Sequence, residues 1–337
     1  MSTRHQFLWP AALICAAHIL PAQDSASVVG PNARFNRLFD GGFFLESPAV
    51  APDGAVYFSD LTYSSTSGMQ AGHIWKYDPK TGATVLFRSP SGMSNGINFD
   101  ARGDMLIAEG ADFGGRMLVR TDMKTGRSYI AAGLFNGRPF NSPNDLTIDR
   151  QGRVFFTDPR YLGHESIDQS VMGVYRLDTD GSVHLIAANV WKPNGIALSP
   201  DERTLYVVSV GDFGTDLLAS TPPRGSVPSQ VHAYGLQADG TARYEKPVIT
   251  FAPGSWGDGM TVDRAGNIYV AVTGSKDKNG VYVFASAGER IAFLATPEPA
   301  INVDFGVGAT ANTFYVACEH GLYEIQLRQS APHAFAP

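Results

Sequence analysis

Six times along this chain a polar residue opens a short apolar run, a tight turn and a second apolar run. The fullest copy extends from Asn144 to Asp158, with the turn at Asp149–Gly152. The other copies open at Glu46, Asn95, Asn194, Asp258 and Asn302, so successive openings are 49, 49, 50, 64 and 44 residues apart. A period of about 40–50 residues built from strands is the mark of a β-propeller. In the fullest copy Asn144 precedes the first strand and Asp158 ends the second. A hairpin therefore carries both to the same edge of one sheet.

Two more strands follow in each repeat. In the first they are predicted at His73–Tyr77 and Thr84–Phe87, across the turn Asp78–Gly82. In the third they are predicted at Gly173–Leu177 and Val183–Ala187. Four strands make one blade. The long fourth interval holds an insertion, placed at Gly211–Ser229, where Gly, Pro and Ser read as a surface loop. The sixth repeat has strands near Asn302, at Thr313–Ala317 and at Leu322–Leu327, and then runs out of chain. The strand-like Ala33–Phe39 is expected to supply its missing outer strand and close the ring, since an open edge invites wrong pairing. No window shows the sustained spacing of a long amphipathic helix. The expected fold is all-β: one six-bladed β-propeller, its sixth blade closed by an N-terminal strand.

Arg4 and His5 precede the mostly apolar run Phe7–Leu20, and Leu20-Pro21-Ala22 resembles a signal-peptidase site. The run is short for a membrane span. Residues 1–22 are therefore expected to be a signal peptide and 23–337 the propeller domain of an exported protein, periplasmic or secreted. Removal of the signal leaves Cys318 as the one cysteine, so no internal disulfide can form despite an oxidising destination. The formal net charge of -6 argues against nucleic acid or an anionic membrane as partner. The oligomeric state is left open.

A propeller gathers equivalent residues of its blades around one axis. Glu46, Asn95, Asn144, Asn194, Asp258 and Asn302 are thus expected at a single mouth. Two carboxylates and four amide oxygens are hard ligands, suited to Ca²⁺, Mg²⁺ or Mn²⁺ and not to a thiolate zinc site. Asn and Asp before a strand also serve simply as turn residues, a reading that suits Asn95 and Asn302 best. Against it, the residue type differs from blade to blade, whereas a turn would ask for the same type each time. A second set stands 14 residues on, at Asp60, Glu109 and Asp158. These are either solvated strand ends or functional carboxylates, which stand behind the opening residues or touch the substrate. Asn95, Asn144, Glu109 and Asp158 are the candidate substrate contacts.

At these residues the sequence resembles the SMP-30/gluconolactonase/LRE-like family of six-bladed, metal-dependent lactonases. The resemblance is carried by Asn141-Ser142-Pro143-Asn144-Asp145 with Phe156–Pro159, by Lys192–Pro200, and by Gly257-Asp258-Gly259-Met260. Glu46-Ser47-Pro48, where the family usually has Glu-Gly-Pro, and Pro299–Gly306 add to it. It implies metal ligands at Glu46, Asn194 and Asp258, with Asn144 as a fourth ligand or a substrate contact. The implied cofactor is a divalent metal, calcium foremost, with Mg²⁺, Mn²⁺ or Zn²⁺ as alternatives. The implied partner is a small-molecule lactone, with Asp258 as the catalytic carboxylate. Animal members carry a substrate-contacting Arg two positions before the third-blade Asn; here that position is Ser142.

The implied reaction is opening of a sugar lactone such as gluconolactone. Two rival readings stand: a metal-dependent esterase or phosphotriesterase on the same fold, and a non-catalytic propeller that binds a sugar or a protein.

Overall fold

Alternating apolar residues draw the chain into six antiparallel sheets of four strands each. The structure is a computed structural model that describes residues 27–30, 32–68, 71–211, 227–274 and 279–333. The N-terminal signal segment and most of the expected insertion, 212–226, lie outside the described residues.

The first strands of the blades are Leu45–Val50, Ser94–Phe99, Leu146–Ile148, Pro193–Leu198, Trp256–Val262 and Ala300–Phe305. Each touches the first strands of the blades before and after it, and together they ring the central axis. These inner strands are buried almost throughout, whereas an outer strand such as Ala83–Arg88 is largely exposed. The reason is packing: inner strands are covered on both faces by neighbouring blades, outer strands by little. The core is accordingly split into wedges between blades. Between blades one and two, Ala49, Tyr57 and Ile74 meet Ile97, Phe99 and Ile107. Between blades six and one, Tyr315, Ala317 and Leu322 meet Leu45, Val50 and Phe58.

The ring closes as expected. Strand Asn36–Asp40 pairs antiparallel with Gly321–Gln326, setting Asn36 opposite Glu324 and Asp40 opposite Gly321. It begins three residues later than expected. The strands of blade three fall at Gly173–Leu177 and Val183–Ala187, as read from the sequence. The only α-helix among the described residues is the single turn Ser64–Ser67.

Inner strands are not regular. In blade one Glu46 faces Ser59 while Ala49 faces Tyr57, so the inner strand carries one extra residue. The same bulge recurs between Ser94 and Ile97, Pro193 and Ile196, Gly257 and Met260, and Ala300 and Asn302. A bulge bends a strand and re-aims its side chains. Each of these five bulges falls at, or beside, the residue that opens the repeat.

Candidate active site

The bulges explain why three of the repeats, at Asn95, Asn194 and Asp258, open on Asn-Gly or Asp-Gly. These pairs are not turns. A Cβ at Gly96 would strike the backbone of Asn144 and Asp145, and one at Gly195 would strike the backbone of Asp258 and Met260. Glycine lets adjacent inner strands approach at the axis, and the preceding side chain is left at the mouth.

Three carboxylates are gathered there. Glu46, Asp145 and Asp258 are all buried. Burial raises the carboxyl of Glu46 well above its usual range, and the charges of Asp258 and Asp145 push it the same way. Burial likewise pushes Asp258 up to about 7; a hydrogen bond from Asn194 works against the shift and the charge of Asp145 adds to it. Asp145 is also pushed up to about 7 by burial, although its Oδ1 accepts the Leu146 N–H at 2.9 Å. Carboxylates held this close out of water favour either a proton or a cation.

The amides complete the set. Asn194 Nδ2 donates to Asp258 Oδ1 at 2.7 Å. Asn302 Nδ2 donates to Glu46 Oε2 at 3.3 Å and to Ser47 Oγ at 3.0 Å. Asn302 is therefore an organiser of Glu46 and not a plain turn residue. Ser47 adopts φ 42°, the left-handed region that suits the glycine usual in the resembled family. Asn95 Oδ1 and Asn144 Oδ1 are buried with no hydrogen-bond partner among the described residues. A buried acceptor without a donor is costly, and a bound cation or a ligand hydroxyl would satisfy it.

The donor set therefore fits a hard divalent cation. Two carboxylates, the open oxygen of Asn144, and Asn194 after a half-turn of its amide supply oxygen ligands. No group of three or more His, Cys, Asp or Glu placed to hold a metal occurs among the described residues, so such a cation would depend on the amides as well.

The second carboxylate set has a different job. Asp158 is wholly buried, and its two oxygens accept the backbone N–H groups of Asn141 at 2.8 Å and Ser142 at 2.7 Å. Asp60 Oδ1 likewise accepts from Phe43 at 2.8 Å and Phe44 at 3.1 Å. In both blades the acceptor holds the segment two and three residues ahead of the opening residue. Asp158 thus positions the loop that carries Asn144, in place of the substrate contact its spacing suggested. Arg160 completes that clamp, its Nη2 and Nε donating to the Asn141 carbonyl at 2.7 and 3.0 Å. Glu109 lies against Gly92 and Gly115, and burial raises it to about 7 while Arg88 opposes the shift. It is not among the groups acting on Glu46. Ser142 Oγ accepts the Ala111 N–H at 2.9 Å, so it ties down a blade-two loop where animal members of the resembled family have a substrate-binding Arg.

Sequence reasoning passed over Asp145, Tyr63 and Tyr161. Burial raises both phenols, and the charges of Glu46 and Asp258 raise them further, which sets the two rings beside the carboxylates. The Tyr161 hydroxyl donates to the Lys192 carbonyl at 2.9 Å. Asp145 was legible as the neighbour of Asn144. The tyrosines stand on loops that do not recur, so no repeat marks them.

Comparison with known proteins bears on this arrangement. A sequence profile described as the SMP-30/Gluconolactonase/LRE-like region matches residues 46–320. A gluconolactonase of Zymomonas mobilis is 28% identical, over 90% of this chain and 88% of its own. The solved structure of a gluconolactonase from Xanthomonas campestris is 27% identical and superposes with a TM-score of 0.74, covering 91% of this chain and 94% of that one. Regucalcin from Agrobacterium tumefaciens, a calcium-binding protein, shares the fold at 18% identity, with a TM-score of 0.68 over 89% of this chain and 96% of its own. The matched region begins at Glu46 and takes in every residue of the mouth, and by that match the chain belongs to the SMP-30/gluconolactonase/LRE-like family.

Proposed function

We propose that this protein is a metal-dependent lactonase, with aldonolactones such as gluconolactone as reference substrates. The observation that carries the reading is the meeting of Glu46 and Asp258, from blades one and five, in a buried mouth beside the unpartnered Asn144 Oδ1. Lactone-hydrolysing relatives by name support it. Glu46, Asn144, Asn194 and Asp258 would hold the cation, calcium foremost. When bound, it supplies Lewis-acid polarisation of the ring carbonyl.

The chain's own residues supply the rest. Asp258 takes a proton from the attacking water. The water oxygen bonds to the carbonyl carbon, the ring C–O bond breaks, and the leaving oxygen recovers the proton from Asp258. The products are those of ring opening, a hydroxy acid with no other by-product. Without the cation Asn194 holds Asp258 in place through its 2.7 Å hydrogen bond, and on binding its amide would turn to supply oxygen. Tyr63 and Tyr161 stay protonated in ordinary conditions, because their phenols are raised; Tyr161 donates its proton to the Lys192 carbonyl, and Tyr63 would be the donor to a lactone oxygen.

The test is hydrolysis of gluconolactone followed by pH-stat, on protein stripped with chelator and then restored with Ca²⁺, Mg²⁺, Mn²⁺ or Zn²⁺. Activity that disappears on stripping and returns with a metal supports the reading. No lactone opening under any restored metal overturns it.

A further inference from the structure

In every blade the link from the second strand to the third leaves at the mouth end, because the second strand ends beside the opening residue. Asp60 faces Leu45, Glu109 faces Ser94, and the Thr157 carbonyl accepts the Asn144 N–H. Three of these links, from blades one, two and three, are locked together. The Asp112 carboxylate accepts the Ser64 N–H at 2.7 Å and the Ser64 hydroxyl at 2.9 Å, and His164 Nε2 lies 3.3 Å from it. Glu165 accepts the Asp112 N–H at 3.1 Å and the Phe113 N–H at 2.6 Å.

This lock holds an unusual backbone. Asp112 and Phe113 both lie in the left-handed region, with φ 69° and 67°. Side-chain-bearing residues rarely occupy it, least of all twice in succession. Such conformations persist only where the surroundings impose them, and they cluster where a site needs a particular display. What is displayed here is apolar. Phe113 is 52% exposed, its ring 4.9 Å from that of His164, and Leu162 is 48% exposed. Leu162 directly follows Tyr161 and Phe113 directly follows Asp112, and both stand on links that leave their blades at the mouth end. A fully hydroxylated lactone has no use for such a rim.

We propose that Phe113 and Leu162 are specificity residues for a lactone bearing an alkyl or aryl substituent, which lies against them while the ring sits between Glu46 and Asp258. The inference rests on the lactonase reading and refines its substrate class.

The test compares kcat/KM for a δ-lactone carrying a pentyl chain with that for gluconolactone, on calcium-restored protein. Wild type favours the pentyl lactone. Phe113→Ala lowers that preference about tenfold, as expected for loss of one apolar contact surface. Leu162→Ala lowers it in the same direction, and Val85→Ala, on an exposed outer strand, leaves it unchanged. Wild type without the preference overturns the inference, and so does a preference untouched by both rim variants. Should Phe113→Ala prove misfolded in a thermal melt, Leu162→Ala decides alone. If neither lactone is opened, the lactonase reading fails first and this one with it.

Discussion

Asn194 donates through Nδ2 to Asp258 Oδ1 at 2.7 Å, although the two residues open different blades and stand 64 positions apart. Adjacent inner strands make the contact, and Gly195 lets them approach closely enough to make it. Asp258 is thereby held in one orientation next to Glu46.

Asp258→Asn is predicted to abolish lactone opening while leaving the fold intact. The change keeps shape and removes charge and basicity. The check is gluconolactone turnover at saturating Ca²⁺ alongside a thermal melt. Near-normal turnover would refute the role given to Asp258.

Calcium is predicted to stabilise the protein more as pH rises. The sign follows from the raised carboxyls. Glu46, Asp145 and Asp258 have folded pKa values above their unfolded ones, with Asp145 and Asp258 near 7. The metal-free protein therefore keeps their contribution below about pH 4 and loses it as pH rises towards about 7. A cation replaces the protons, so the gain in Tm with Ca²⁺ should be small at pH 5 and larger at pH 8. Equal gains at both would contradict the assignment of these groups to the cation site.

Gly195→Ala is predicted to destabilise by roughly 1–3 kcal/mol, the usual cost of overpacking. Its new methyl group would meet Asp258 and Met260 backbone, which cannot swing aside as a side chain can. Denaturant unfolding measures the loss, and activity should fall with it because Asn194 and Asp258 are pushed apart. Wild-type stability in the variant would mean the close approach is not needed.

Asp158→Asn is predicted to cost roughly 1–3 kcal/mol, because one buried backbone N–H of the pair Asn141 and Ser142 loses its acceptor. With the loop loosened, Asn144 is less well placed, and the calcium concentration needed for half-maximal activity should rise. A variant with unaltered urea midpoint and calcium requirement would show that the clamp is dispensable.

The repeat made much of this legible in advance. Period and alternation determine six blades, because a strand's side-chain pattern is local and a blade is four such strands in series. Closure by an N-terminal segment followed from counting strands, with the start of the strand shifted by three residues. The opening residues stood out because they recur in register while differing in type. Cys318 is buried and forms no disulfide among the described residues.

Other features were settled only when the blades came together. Asp158 and Asp145 are both acidic neighbours of an opening residue, but one turns to a loop backbone and the other towards Glu46; the direction depends on bulge and burial, not on spacing. Asn302 reads as a turn residue until blade six is set against blade one, where it meets Glu46 after 256 residues of chain. Tyr63, Tyr161, Phe113 and Leu162 stand on loops that differ in every blade. Repetition is a local signal and can be read along the chain, whereas the mouth is built from contacts between blades, and those exist only once the ring has closed.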